Sequence, residues 1–131
     1  MTLTSMVPMV CVSDVARSVA FYQQAFGFKV MNTYEVEGQL NWVFLQLDTV
    51  DLMLVAAEAP FGGRIYRDVI LYFYPININE LHASLQQKGF SVGELSTTFY
   101  GMKEFRLEDP DGYELCFGQD VIGQDTTGQT R

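Results

Sequence analysis

Asp109-Pro110-Asp111-Gly112, followed directly by Tyr113-Glu114-Leu115-Cys116-Phe117, is a tight turn delivering a short strand. Proline presets φ at the second turn position, and glycine accepts the positive φ that closes the corner. The five residues after the turn are aromatic and apolar enough to read as a strand. Tyr100 to Leu107 reads as another strand in front of it, so the pair forms a hairpin with an acidic tip. What this hairpin carries and lacks governs the functional reading.

The 131 residues suit one domain with a sizeable core, and 48% of them are hydrophobic, including ten Phe, seven Tyr and one Trp. No apolar run reaches the ~18 residues of a membrane span. The opening Met1-Thr2-Leu3-Thr4-Ser5 lacks a basic region and a cleavage site, so no secretory signal is expected. Cys11 and Cys116 make no disulfide framework and have no zinc-site spacing. The expected compartment is therefore the cytoplasm, with no membrane partner. Sixteen acidic residues against eight basic ones give a net charge of −8. That excess opposes nucleic-acid binding, which needs Lys and Arg against phosphates. It suits a cationic ligand, although solubility alone accounts for such a charge.

Upstream, Val7 to Ser13 reads as a strand with Pro8 near its start. Ser13-Asp14 supplies a helix N-cap, Val15, Val19, Tyr22 and Phe26 form the apolar stripe, and Gly27 ends the helix. Strands follow over Phe28 to Val36, Leu40 to Leu47 and Asp51 to Ala56, the first two joined by a turn at Glu37-Gly38-Gln39. Pro60 and Gly62-Gly63 mark residues 57–67 as a linker. The order then restarts. Asp68 to Pro75 is a strand, and Asn77 caps a helix with Glu80 three residues on. Ile78, Leu81 and Leu85 are its stripe, and Gly89 its stop. Phe90 to Glu94 precedes the two hairpin strands, and residues 119–131 read as a flexible tail.

Both halves thus run strand, helix, strand, strand, strand. Asp14-Val15 lies 63 positions before Asn77-Ile78, as does Gln23-Gln24 before Gln86-Gln87. Gly27-Phe28-Lys29-Val30 echoes Gly89-Phe90-Ser91-Val92 after a one-residue gap. The chain is read as α+β, two βαβββ modules (about 6–56 and about 68–118) in one domain over 1–118. Their mixed sheets are expected to form a cupped, partial barrel with the helices outside. The concave side is the place for a small ligand.

Val12-Ser13-Asp14, Ser18-Val19-Ala20-Phe21-Tyr22 and Phe26-Gly27-Phe28 resemble the opening of the vicinal oxygen chelate superfamily. Its members include glyoxalase I, extradiol dioxygenases, fosfomycin-resistance transferases and bleomycin-resistance proteins. Tyr100-Gly101-Met102-Lys103-Glu104-Phe105 and Asp109-Pro110-Asp111-Gly112-Tyr113-Glu114 are similar to its C-terminal signature. The resemblance spans Val7 to Phe117. It implies that metal-using members hold a divalent ion with His, Gln and Glu. The corresponding positions here are Val7, seven residues before Asp14, then Ile70, then Cys116, seven residues after Asp109. Aliphatic side chains offer no lone pair, and one thiol does not hold a hard cation. No metal and no cofactor is expected.

By the same positions and strand alternation, Val7, Met9 and Cys11 share a face, as do Ile70, Tyr72 and Tyr74, and Glu114 and Cys116. With Trp42, Tyr100 and Glu104, these residues are the expected ligand-binding set; no catalytic residue is assigned. Aromatic walls and a carboxylate suit flat or cationic molecules. Several of these aromatics would equally serve as sheet–helix core. The only histidine, His82, sits at the edge of the second helix's stripe, where it is solvated or tucked against the sheet. Neither cysteine has a basic neighbour to activate it, and both read as small strand-core residues. The resemblance to bleomycin-resistance proteins implies a metal-free homodimer that sequesters a small molecule, and so antibiotic resistance. The rival is a glyoxalase- or dioxygenase-like lyase, isomerase or oxygenase with a metal on displaced ligands such as Glu104 and Glu114. A third reading is an interaction module with no ligand.

Overall fold

The computed structural model describes residues 1–57 and 69–121. They belong to two compact units, divided between positions 66 and 67. The expected linker over 58–67 and the tail beyond 121 lie outside the described residues. Among the described residues, no helix is long and apolar enough to cross a membrane.

The N-terminal unit contains β1 (Met9–Val12), α1 (Val15–Phe26), β2 (Lys29–Val36), β3 (Gln39–Leu47) and β4 (Val50–Ala56). Its sheet order is β1-β4-β3-β2, with β1 parallel to β4 and the other neighbours antiparallel. The helix starts at Asp14, whose carboxylate accepts from the Arg17 backbone N–H at 3.1 Å. It stops at Gly27, where φ is 88° and the amide donates to the Gln23 carbonyl. Val15, Val19 and Tyr22 are buried as the stripe requires, together with Ser18 and Ala25. Phe26 is only half-buried, in an aromatic cluster with Phe21, Tyr22 and Phe28. Val10, Leu54 and Val43 stand abreast on three strands facing the helix, beside the Leu45–Leu52 pair. The β2–β3 turn is shorter than expected: Glu37 and Gly38 alone take positive φ, and Gln39 already pairs with Val36. All eight residues of β2 are exposed, and its pairing slips at Met31 and again after Tyr34. The Ala57 amide donates to the Val12 carbonyl at 2.9 Å, so pairing reaches the first residue of the expected linker.

The C-terminal unit contains β5 (Leu71–Phe73), α2 (Ile78–Gln87), β6 (Ser96–Thr97), β7 (Met102–Glu108) and β8 (Glu114–Asp120). Its order, β5-β8-β7-β6, repeats that of the first sheet, again with one parallel pair, β5 with β8. Two βαβββ modules are therefore present. Asn77 caps α2 through its side-chain oxygen, 3.1 Å from the Glu80 amide, and Gly89 leaves the helix at φ 93°. Ile78 and Leu85 are buried, whereas Leu81 is half-buried. Phe73, Phe117 and Phe105 stand abreast on three strands and stack at centroid distances of 5.2 and 4.9 Å.

In this unit three strands depart furthest from the expected bounds. The strand expected over Phe90 to Glu94 is absent; a two-residue β6 follows later, and Gly93 makes a single backbone–backbone bond outside any ladder, its amide to the Arg106 carbonyl. A glycine inside a strand pattern gives a side-chain-free, poorly held position. β5 is three residues, shorter than Asp68 to Pro75. β8 extends beyond Phe117: Gln119 pairs with Lys103, Asp120 with Met102, and the Gln119 side chain accepts from the Ile78 amide and donates to the Ile76 carbonyl. Gln119 and Asp120 thus belong to the sheet, and not to the tail.

The hairpin turn is held more firmly than turn residues alone require. Asp109 is buried, and its Oδ1 accepts from the amides of Asp111 and Tyr113, both at 2.9 Å. The Gly112 amide closes on the Asp109 carbonyl at 2.8 Å with φ 87° at Gly112.

Candidate functional site

In each unit the helix covers one side of the sheet, and strand pairing fixes which side chains lie on the other. In the N-terminal unit, Met9, Met53 and Phe44 form one row across the open side; Cys11, Val55, Trp42 and Tyr34 form the next. Met9 and Cys11 thus share a face, and the register places Trp42 on it with them. The Trp42 indole N–H points to the Met53 sulfur at 3.3 Å, and Trp42 and Phe44 have centroids 6.4 Å apart. This face is apolar and polarizable. Cys11, expected as a core residue, is exposed because alternation turns it away from the helix.

The C-terminal unit's open side is chemically different. Tyr72, Cys116 and Arg106 form one row, and Gly118 and Glu104 the next. Glu104 is 9% exposed, unusual for a carboxylate, and two phenols satisfy it. The Tyr72 hydroxyl donates to Glu104 Oε2 at 2.7 Å and the Tyr100 hydroxyl to the same oxygen at 3.0 Å. Burial first, then the bond to Glu104, pushes the Tyr72 phenol far above the ordinary tyrosine range. The Tyr100 phenol is raised chiefly by its bond to Glu104. Both hydroxyls stay protonated near neutrality.

Gly118 makes this arrangement possible. A Cβ there would lie 1.9 Å from the Tyr72 hydroxyl and 2.7 Å from its ring carbon, so any other residue displaces the ring. A glycine in a strand interior is the sequence signal for such close approach, and Gly118 is absent from the expected set. Arg106 was also missed. Its guanidinium donates to Glu114, which holds its charge on and raises its pKa. Tyr74 lies against Tyr72 with centroids 5.0 Å apart, and Ile70 is exposed just before β5. Of the expected set, Tyr72, Tyr100 and Glu104 come into direct contact. Glu114 is drawn to Arg106 instead. An open groove lined by Phe90, Ser91, Arg106, Glu108 and Glu114 lies at this hairpin end, without the tyrosines or Glu104. His82 is on the helix side, its Nε2 2.8 Å from the Gly93 carbonyl and its ring edge-on to Phe105.

The positions expected for a divalent ion do not suit one. Val7 and Ile70 have no donor atom. Cys116 is 1% exposed, and burial, then the Glu104 carboxylate, pushes its thiol up, away from the thiolate a metal or a substrate needs. The displaced carboxylates do not converge either. Glu104 pairs with Gly118 and Glu114 with Glu108, four residues further along the ladder. At ~3.4 Å per residue the two backbones stand on the order of 13 Å apart. Among the described residues, no three His, Cys, Asp or Glu side chains come together to hold a metal ion.

A doubled βαβββ unit with matching strand order defines the class of protein. Residues 5–117 match the Glyoxalase/Bleomycin resistance protein/Dioxygenase superfamily, and the chain belongs to it. No curated protein matches the sequence. Among solved structures, the chain is similar to TnmS3, an antibiotic binding protein from Streptomyces sp. CB03234, with TM-score 0.73 at 22% identity, covering 92% of this chain and 98% of that one. It is also similar to a bleomycin-binding protein complexed with bleomycin (TM-score 0.71, 17% identity, 90% and 99% covered). A lactoylglutathione lyase from Agrobacterium tumefaciens matches at TM-score 0.68 and 18% identity, with 90% and 94% covered. At these identities the likeness is one of fold.

Proposed function

We propose that the chain is a metal-free, small-molecule-binding protein of the cytoplasm that sequesters an aromatic or cationic ligand, as a homodimer, without transforming it. The observation that carries this reading is Glu104, a carboxylate bonded by two tyrosines on the open side of a sheet whose expected ligand positions are Ile70 and Cys116. Aromatic faces and a carboxylate bind flat cations through stacking, cation–π attraction and charge pairing. Antibiotic-binding structures of the same fold agree with the reading, and antibiotic resistance is the role it suggests.

Isothermal calorimetry with bleomycin and with planar aromatic cations tests the proposal. Saturable heat near one ligand per binding site, with the ligand recovered unaltered, is the expected result. No heat from any of them with folded protein overturns it. So does turnover that a chelator abolishes, which would reinstate the enzyme. Sedimentation velocity at micromolar concentration checks the homodimer.

A further inference from the structure

We propose that Tyr72, Tyr100 and Glu104 form a cation subsite whose hydrogen-bond polarity selects cations carrying N–H donors over quaternary ammonium. This rests on the binding reading above and deepens it by naming the ligand's chemical class.

Each phenol has one O–H, and both are committed to Glu104 Oε2. What each phenol oxygen has left is lone pairs, one of those on Tyr100 being engaged by the Thr98 side chain. The Glu104 side chain makes no other hydrogen bond and no ion pair with the described residues, so its second oxygen is a further acceptor. The three groups therefore offer acceptors and no donor. The raised phenol pKa values keep that polarity fixed from neutral to mildly alkaline pH.

Charge points the same way. Arg106 shares the open side with Glu104 but is paired to Glu114. The Cys116 thiol beside them is kept neutral by burial. Glu104 has no ion-pair partner among the described residues, only the longer-range attraction of Arg106, and it is largely out of water. A quaternary ammonium can satisfy the charge and stack on the tyrosines. It cannot give protons to the acceptors, which remain desolvated and unpaired when the ligand covers them. A protonated amine, amidine or guanidine satisfies both needs. Hydrogen bonds to a charged group are worth about 1.5–3 kcal/mol, which converts to a preference of at least about tenfold.

The experiment uses a matched pair of fluorescent probes: a dimethylaminoethyl naphthalimide, protonated near neutral pH, and its trimethylammonium analogue, one methyl larger. Fluorescence titration of the full chain is expected to show the tertiary ammonium binding about tenfold tighter or more. Equal affinity, or tighter binding of the quaternary probe, overturns the selectivity while leaving the binding reading intact. Binding of neither probe overturns both. The variant Tyr72→Phe/Tyr100→Phe removes the phenol oxygens but keeps the rings, and is expected to bring the two affinities within about threefold. Undiminished discrimination in that variant, with a native circular-dichroism spectrum, assigns the selectivity elsewhere and overturns the proposal. Should the variant not fold, the wild-type pair of titrations still decides.

Discussion

The two units share a strand order and differ on their open sides. Pairing makes the comparison position by position: the row Val10, Leu54, Val43 in the first unit corresponds to Phe73, Phe117, Phe105 in the second. One row further on, Val55 stands where Gly118 does, and Trp42 where Glu104 does. In the first unit the indole lies on a methionine sulfur. In the second the carboxylate is tied by a tyrosine leaning over a glycine. The ladder determines which residues become neighbours, and the residue types then determine the chemistry. A duplicated scaffold thus carries a greasy surface in one copy and an acceptor-rich one in the other.

The sharpest way to break the contrast is Gly118→Ala. The new methyl expels the Tyr72 ring and leaves Glu104 half-satisfied, costing about 3 kcal/mol in urea unfolding. The matching change Val55→Ala only trims a half-buried side chain and is expected to cost about 0.5–1 kcal/mol. Asp109→Ala comes next. It strips two amides of their acceptor in the second unit's hairpin, at about 2 kcal/mol by the same assay. The first unit's Glu37-Gly38 hairpin depends instead on positive φ, so Gly38→Ala is expected to cost about 1 kcal/mol.

A smaller effect appears at alkaline pH. Tyr72 and Tyr100 have phenols raised in the folded state, so they favour folding fully below the ordinary tyrosine pKa of about 10. That contribution is lost as pH rises through their folded values. Ultraviolet titration at 295 nm is expected to show two tyrosines ionising later than a free phenol, and Glu104→Gln to bring them down. Ser18→Ala, in the first unit, should raise stability by up to about 1 kcal/mol. It removes the one buried side-chain oxygen that lacks a partner among the described residues and adds a better helix former. Least of all, Arg106→Ala should change thermal stability by under about 0.5 kcal/mol, because both members of its ion pair are substantially exposed.

Much of this fold could be read from the residues alone, for identifiable reasons. Asp14 and Asn77 are small side chains that reach back to helix amides, and Gly27 and Gly89 occupy left-handed backbone, so both helices carry visible ends. The Gly-Phe-x-Val echo exposed the duplication. Strand ends were less legible. Gln119 looks like tail chemistry, and only its bonds to residues 76 and 78, more than forty positions away, show it to be sheet. Of the candidate site, Tyr72, Tyr100 and Glu104 all stand in the expected ligand-binding set. Their connection was not expected, because it depends on register: nothing local links position 72 to position 104, or predicts that a glycine at 118 stands beneath the ring.

Among the described residues, no strand pairs with the outer border of β2 in the first sheet, and all eight of its residues are exposed. Borders of that kind invite stray chains to add on and seed fibrils. The slips at Met31 and after Tyr34 divide its pairing so that the longest unbroken stretch, Asn32 to Tyr34, is three residues. A kinked border offers an incoming strand too short a template to zip onto, which lowers the hazard of polymerising through it.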